Sequence, residues 1–368
     1  MSEDIISKAE KLPSIPFSAA QEYSEKSDRL VEEVNLSISA YPDINNIIGN
    51  NPRSVLYDNH NNHALFMSNI FKLNEFALMA RVIIWAYRTY HSRGFSLDYF
   101  PLAMRTWINA IQNNIEPPQA NQLVAVYQWI LENHHQIIEA SREDLDAPLF
   151  VDPKWQEIKE SFLEMILAGD HKKALNLVDE SIHSAADLEG FYLQGIQPAM
   201  YKIGTLWETG EISVAREHLA SAIVSRVMAS LYNRFILLEQ TKGKAMVTAA
   251  PNEYHEIGPR MVADLLEMDG WDVDYIGTNV PIHELIDFVV DKKPFLLAIS
   301  VSMPFNLDYV REIITDIRKN PLIKDTMIML GGHCITTNPQ LQNNLRADGY
   351  GQTAKEAVLL ADEWWSNA

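Results

Sequence analysis

The chain has 368 residues, enough for two or three cores, and its 47% apolar and 21% charged residues are those of a globular protein. A formal charge of −19 with no cluster of Lys and Arg argues against direct nucleic-acid binding, because a duplex-binding surface needs basic side chains to displace counterions. The single cysteine, Cys334, excludes an internal disulfide and any multi-cysteine metal centre. No apolar run reaches the roughly 20 residues of a membrane helix. The first residues, MSEDIISKAEKLPS, have neither the basic start nor the apolar stretch of a secretory signal, so the expected compartment is the cytoplasm.

Residues 1–145 read as an all-helical domain. Over residues 62–90 the apolar side chains Phe66, Ile70, Leu73, Phe76, Ala80, Ile83 and Tyr87 recur every three or four positions, which predicts one long amphipathic helix ended by Gly94. Residues 145–153 (LDAPLFVDP) have two prolines and no period, and read as a linker. Residues 154–238 predict four shorter helices. Gly169 and Asp170 part the first two, Ser184 or Asp187 starts the third, and the third ends near Trp207 with Gly210 beyond it. Ser213 then caps a fourth helix running to about residue 238. So short a connection makes those two helices antiparallel and keeps Trp207 near the start of the fourth.

From residue 244 to 368 the pattern changes. Apolar runs of β type (AMVTAA, WDVDYIG, FLLAISVSM, TMIMLGG) alternate with helical periods, which implies a parallel sheet with helices on both faces. The predicted order is flavodoxin-like, with five strands and a ligand crevice beyond their carboxyl ends. The chain as a whole is thus expected to be multidomain, α and α/β.

Two groups of residues carry chemistry. The loop after the first strand reads Asn252-Glu253-Tyr254-His255-Glu256-Ile257-Gly258; forty-one residues separate Gly258 from Ser300 on the third strand, and Gly331-Gly332 follow the fourth. All fall at the crevice rim. A neutral imidazole is a good transition-metal ligand, and a carboxylate two residues earlier can hold its other ring N–H and raise its basicity. Gly258 is expected to ease the turn into the following helix, Gly331 and Gly332 to keep a channel open against the sheet, and Ser300 to place a hydroxyl at its floor. The second group is Trp207, nine residues, then Glu217-His218, with Val214 between.

The first pattern resembles the cobalamin-binding fold of corrinoid methyltransferases and related proteins, whose signature is Asp-x-His-x-x-Gly, then Ser-x-Leu, then Gly-Gly. The resemblance covers about residues 154–368 and implies that His255 coordinates cobalt from below while the cofactor's nucleotide tail enters the channel beside Ser300. Glu253 stands where the family has aspartate, and Ser302 where it has leucine. The segment GTLWETGEISVAREHLAS is similar to the cap of the adenosylcobalamin photoreceptor family. That likeness implies a four-helix bundle over the upper cobalt face, Trp207 and Val214 as an apolar lid on the adenosyl group, and Glu217 and His218 as polar contacts. Where the best-known members have a histidine directly after the tryptophan, this chain has Glu208.

The helical N-terminal segment without a DNA-binding domain is similar in architecture to the photocobilins, which hold biliverdin beside cobalamin. Tyr57, His60, His63, Arg81, Arg88 and His91 are the candidates for a non-covalent bilin, the arginines for its propionates and the Tyr and His side chains for its nitrogens and carbonyls. The expected function is a light-sensing adenosylcobalamin receptor, a homo-oligomer with an unidentified downstream partner and no catalysis of its own. Two alternatives stay open: a corrinoid methyl carrier of a methyltransferase system, and a cobalamin-responsive regulator that ignores light.

Overall fold

The computed structural model describes residues 2–143, 151–236 and 239–368, so most of the predicted linker at 145–153 and the predicted end of the fourth bundle helix at 238 lie outside the described residues. The chain divides into two compact units, Met1–Ala147 with Glu208–Glu211, and Pro148–Trp207 with Ile212–Ala368.

The described part of the first unit is helical, with α1 (Ser2–Ala9), α2 (Phe17–Glu25), α3 (Ser27–Ser39), α4 (Ile44–Ile48), α5 (Arg53–Leu73), α6 (Phe76–Ser92), α7 (Tyr99–Asn114), α8 (Pro117–Glu132) and α9 (His134–Ser141). The single helix expected over residues 62–90 is two helices. They part at Asn74, whose backbone is left-handed (φ 57°) and whose side chain takes Ile15 N–H at 2.6 Å and donates to Ile15 O. Asn tolerates that conformation better than other non-glycine residues, and here it exchanges helical hydrogen bonds for two with a distant strand of backbone. The core of this unit is rich in aromatic and polar groups. Tyr23, Phe71, Trp107 and Tyr127 are buried; the Tyr23 and Tyr127 hydroxyls are hydrogen-bonded at 2.8 Å, and His63 Nε2 lies 3.2 Å from Tyr127 Oη.

The second unit opens with α10 (Pro153–Ala168), α11 (His171–Ser181), α12 (Ala185–Phe191), α13 (Gln197–Glu208, whose last residue groups with the first unit) and α14 (Val214–Phe235). The local signals act as their chemistry dictates. Asp170, Ser184 and Ser213 each accept a backbone N–H from two or three residues ahead in the next helix, and Gly169 and Gly210 take the left-handed conformation after α10 and α13. Between α12 and α13 the helix widens into a single π turn, Tyr192–Ile196, which no feature of the sequence announces.

The rest of the unit alternates β1 (Lys244–Ala249), α15 (Ile257–Met268), β2 (Asp272–Gly277), α16 (Ile282–Lys292), β3 (Leu296–Ser300), α17 (Leu307–Lys319), β4 (Met327–Gly331), α18 (His333–Thr336), α19 (Leu341–Leu345), β5 (Gly349–Tyr350) and α20 (Ala354–Ser366). The strands form one parallel sheet in the order β2-β1-β3-β4-β5, the flavodoxin-like order expected. Ala245, Met246, Val247, Leu296 and Leu297 are buried whichever way they point, as helices on both faces require. The bundle shares a core with this layer: Phe162, Phe191, Val224, Met228 and Leu231 pack with Met261 and Leu265 of α15. Two polar ties cross the same contact, Tyr192 Oη to Asp264 Oδ2 at 2.6 Å and Tyr232 Oη to Glu267 at 2.8 Å.

Candidate functional site

His255 lies in the loop between β1 and α15, and the carboxylate of Glu253 organises it. Glu253 is 1% exposed. Its Oε1 meets His255 Nδ1 and the Tyr254 N–H (3.2 Å), and its Oε2 accepts the backbone N–H groups of Ser302 (2.8 Å) and Met303 (2.9 Å). One side chain therefore fastens the loop after β1 to the loop after β3. The longer glutamate does here what the aspartate of the family signature is implied to do. Asn306, buried completely, adds a third tie: its amide donates to Asn252 O at 3.2 Å and to Glu253 Oε2 at 3.4 Å. Burial alone would raise the Glu253 carboxyl, but the bond and charge of His255 together with the two backbone donors bring it down to about 2. The His255 imidazole responds in the opposite sense. Its hydrogen bond with Glu253 raises its pKa above the usual value against partial desolvation.

With Nδ1 held by a carboxylate, which can only accept, the His255 proton resides on Nδ1 and the lone pair on Nε2 is left for a metal. The side chain is 62% exposed. Its own loop offers exposed apolar surface for a flat ligand: Tyr254, its neighbour in sequence, is 68% exposed. A Cβ added at Gly258 would meet no atom within 4 Å, so this glycine, whose backbone is ordinary helix, leaves space on the rim rather than easing a turn. The two glycines after β3's neighbour also differ from their common expectation. Gly331 pairs with Ser300 across β3 and β4 and has open room, its nearest would-be contact being Gly351 O at 3.9 Å. Gly332 is required by the backbone instead: φ is +87°, and a Cβ would lie 2.5 Å from Val301 O.

The second sequence group belongs to the same place. Ile212 N–H donates to Leu206 O at 3.2 Å, closing the turn that brings the end of α13 to the start of α14. Trp207 is half-buried in the last turn of α13, and Val214 opens α14. Glu217 binds His218 Nδ1 and accepts from Ser221 Oγ at 2.8 Å. Its charge also reaches His255 and helps to raise that imidazole's pKa. Glu217 of the bundle motif is thus near enough to the loop motif for its charge to be felt at His255. Glu256 closes the loop's far end by accepting from Ser225 Oγ of α14 at 2.8 Å, and Ile257 packs against the bundle core.

Sequence reasoning missed Asn306, which lies 54 residues from Asn252 and gives only the local sign of a residue preceding a helix. It also missed Tyr201 and His333, whose rings meet edge to face at 6.4 Å.

The bilin candidates have different surroundings in the first unit. Tyr57 lines a groove of about 410 Å³ with Asp28, Glu32, Asn35 and Asn61, and none of the other five lines it. His60 is 1% exposed, with Nδ1 donating to Asn35 Oδ1 at 2.6 Å. Burial lowers the pKa of His60 to about 4, and burial followed by the charge of His60 lowers that of His63 to about 3. Both are neutral core residues. Arg81 reaches Glu3 at the surface, and His91 Nδ1 lies 3.3 Å from Phe95 O. Arg88 donates to Glu208 Oε1 at 2.6 Å and to Ser141 O at 2.8 Å within the first unit. These bonds occupy the arginine expected to pair a propionate. Burial raises the Glu208 carboxyl although Arg88 opposes it.

Comparison with known proteins identifies the module. Residues 243–359 match the family model described as "B12 binding domain", and residues 158–232 match a second model of the same description. The chain carries a two-part cobalamin-binding module. Curated relatives include dimethylamine corrinoid protein 3 of Methanosarcina acetivorans, 24% identical over 54% of this chain and 93% of the relative. They also include the HTH-type transcriptional repressor CarH of Myxococcus xanthus, 26% identical over 49% of this chain and 59% of the repressor. Among solved structures, the monomethylamine corrinoid protein of Methanosarcina barkeri shares the fold at a TM-score of 0.51, with 21% identity over 57% of this chain and 99% of that one. The cobalamin-binding module spans the four bundle helices and the parallel sheet, and no described helix is long and apolar enough to cross a membrane.

Proposed function

We propose that the chain is a light sensor that holds adenosylcobalamin between the bundle and the sheet rim of its second unit. The observation that supports this reading is His255, anchored at Nδ1 by Glu253 with the rest of its ring exposed, in a unit where α14, which Val214 opens, shares a core with α15, which follows His255. Bound adenosylcobalamin would supply a cobalt–carbon bond that light cleaves. His255 holds the metal from below, its tautomer fixed by Glu253. Trp207 and Val214 cover the adenosyl group, and Glu217 and His218 offer it polar partners. Ser300, Gly331 and the backbone at Gly332 border the channel for the nucleotide tail.

Loss of the adenosyl group leaves the lining under Trp207 without contacts, which costs a few kcal/mol. That is enough to shift a bundle with two packings of similar energy, and so to change assembly or partner binding. Glu208, engaged by Arg88, does not take the place of a capturing histidine. Water or the exposed His218 completes the illuminated site. The reading includes no catalytic step by this chain, and it rests on cobalamin alone.

A second reading, a corrinoid methyl carrier, is favoured by the long overlap with the dimethylamine corrinoid proteins. Absorption spectra of the adenosylcobalamin-loaded chain before and after green light, with size-exclusion profiles of both states, decide between the two. Adenosyl loss with a changed profile is expected. A spectrum indifferent to light, with bound methylcobalamin passing its methyl group to a thiol or tetrahydrofolate acceptor, would replace the sensor by the carrier.

A further inference from the structure

We propose that His333 is a second imidazole of the cobalamin module, which holds the phosphate of the cofactor's nucleotide tail by a hydrogen bond at the mouth of the channel beside Gly331. The inference rests on cobalamin binding with the tail inserted along Ser300 and Gly331. The backbone decides where residue 333 stands. Gly332 is wedged against Val301, with a Cβ there only 2.5 Å from Val301 O and 2.7 Å from Val301 N. Cys334 N–H then donates to Val301 O at 3.3 Å, and Cys334 and Ile335 are buried. Residue 333 is left as the exposed position of the segment that follows the channel glycines.

Two neighbours mark the direction of the ring. Tyr201 of α13 meets it edge to face, with centroids 6.4 Å apart and planes at 70°. The charge of His255 is felt at His333, which follows the end of β4 where Gly331 pairs with Ser300. No hydrogen bond from either ring nitrogen to a described residue accompanies these contacts. With the tail inserted along Ser300 and Gly331, His333, exposed two residues beyond Gly331, is an imidazole within the chain segment that borders that path. An imidazole donates an N–H whether neutral or charged, which suits an anionic oxygen in a chain of net charge −19.

Adenosylcobinamide has the same corrin and upper ligand but no nucleotide tail, and provides the test. Titrations of the full chain with adenosylcobalamin and adenosylcobinamide, followed by absorbance, compare wild type with His333→Ala and His333→Gln. His333→Ala is expected to weaken adenosylcobalamin about tenfold, the effect of one charge-assisted hydrogen bond, and to leave adenosylcobinamide unchanged. His333→Gln, which keeps a donor, recovers most of the loss. Equal losses for both corrinoids would place His333 against the ring and overturn the assignment, as would no loss for either. A wild-type chain that binds both equally would overturn tail insertion itself.

Discussion

The two units treat histidine in opposite ways. In the first, His60 and His63 sit among Trp107, Tyr99 and Tyr127, and burial keeps them neutral far below their usual range. In the second, His255 has one nitrogen fixed by a buried carboxylate and the rest of its ring in the open. Satisfaction of the buried partners differs too: Glu253 binds at both oxygens, whereas His60 Nε2, enclosed in the first core, has no hydrogen-bond partner. A ligand histidine is recognised by that asymmetry, one nitrogen anchored and one exposed, and not by the polarity of its neighbourhood.

Substitutions should separate the two kinds. His255→Ala is expected to lower cobalamin affinity by about a hundredfold or more and to abolish the spectrum of histidine-ligated cobalt, with a lower melting temperature of the cofactor-free chain because the buried Glu253 loses its partner. Equal binding by this variant would end the comparison. Asp264 gives the next largest effect. Burial raises its carboxyl from 3.8 to about 6, although the Tyr192 hydroxyl opposes this. The folded chain then binds a proton that the unfolded chain has lost, so stability is greatest below pH 4 as far as this group is concerned and falls by about 3 kcal/mol as the pH rises through 6. Asp264→Asn should remove that slope from denaturation midpoints recorded between pH 4 and 7; an unchanged slope would assign it to other groups.

His60→Ala should destabilise the first unit by about 2 kcal/mol through lost packing, read by urea denaturation, and leave cobalamin affinity unaltered. An affinity loss there would mean that the core histidine has a ligand role. The smallest expected effect is that of Glu253→Gln. An amide can still accept from His255 Nδ1, but it carries no charge and its NH2 then faces the Ser302 and Met303 N–H groups; affinity should fall about tenfold, with a weaker cobalt–histidine bond in the spectrum. A drop as large as that of His255→Ala would show that loosening the loop costs as much as losing the ligand.

What the sequence disclosed follows from the range over which each signal acts. Ser184 and Ser213 mark helix starts by accepting from residues three positions ahead, Gly169 and Gly210 mark helix ends by their left-handed backbone, and those ends are where the sequence put them. The strand order followed from the apolar runs and their helical crossovers. His255 and Glu253 were legible because they are two residues apart. Asn306 was not, since only the placing of β1 beside β3 brings it to Asn252. Asn74 looked like one more polar site between two apolar stripes; its left-handed turn is fixed by Ile15, 59 residues earlier. A list of suitable side chains, such as the bilin candidates, carries no information about convergence.

The π turn at Tyr192–Ile196 has an evolutionary consequence. A turn of this kind holds one residue more than an α-helical turn, as if a single codon had been inserted into an older straight helix. Each residue in an α-helix advances the azimuth by about 100°, so deleting one codon there would rotate everything downstream by that angle relative to α12. Trp207 and Tyr201 would be re-aimed by that angle, while the composition of the bundle hardly changed. A lineage could therefore redirect the side chains at the end of α13 by one insertion or deletion remote from them, and alignments without gaps at 192–196 would hide the event.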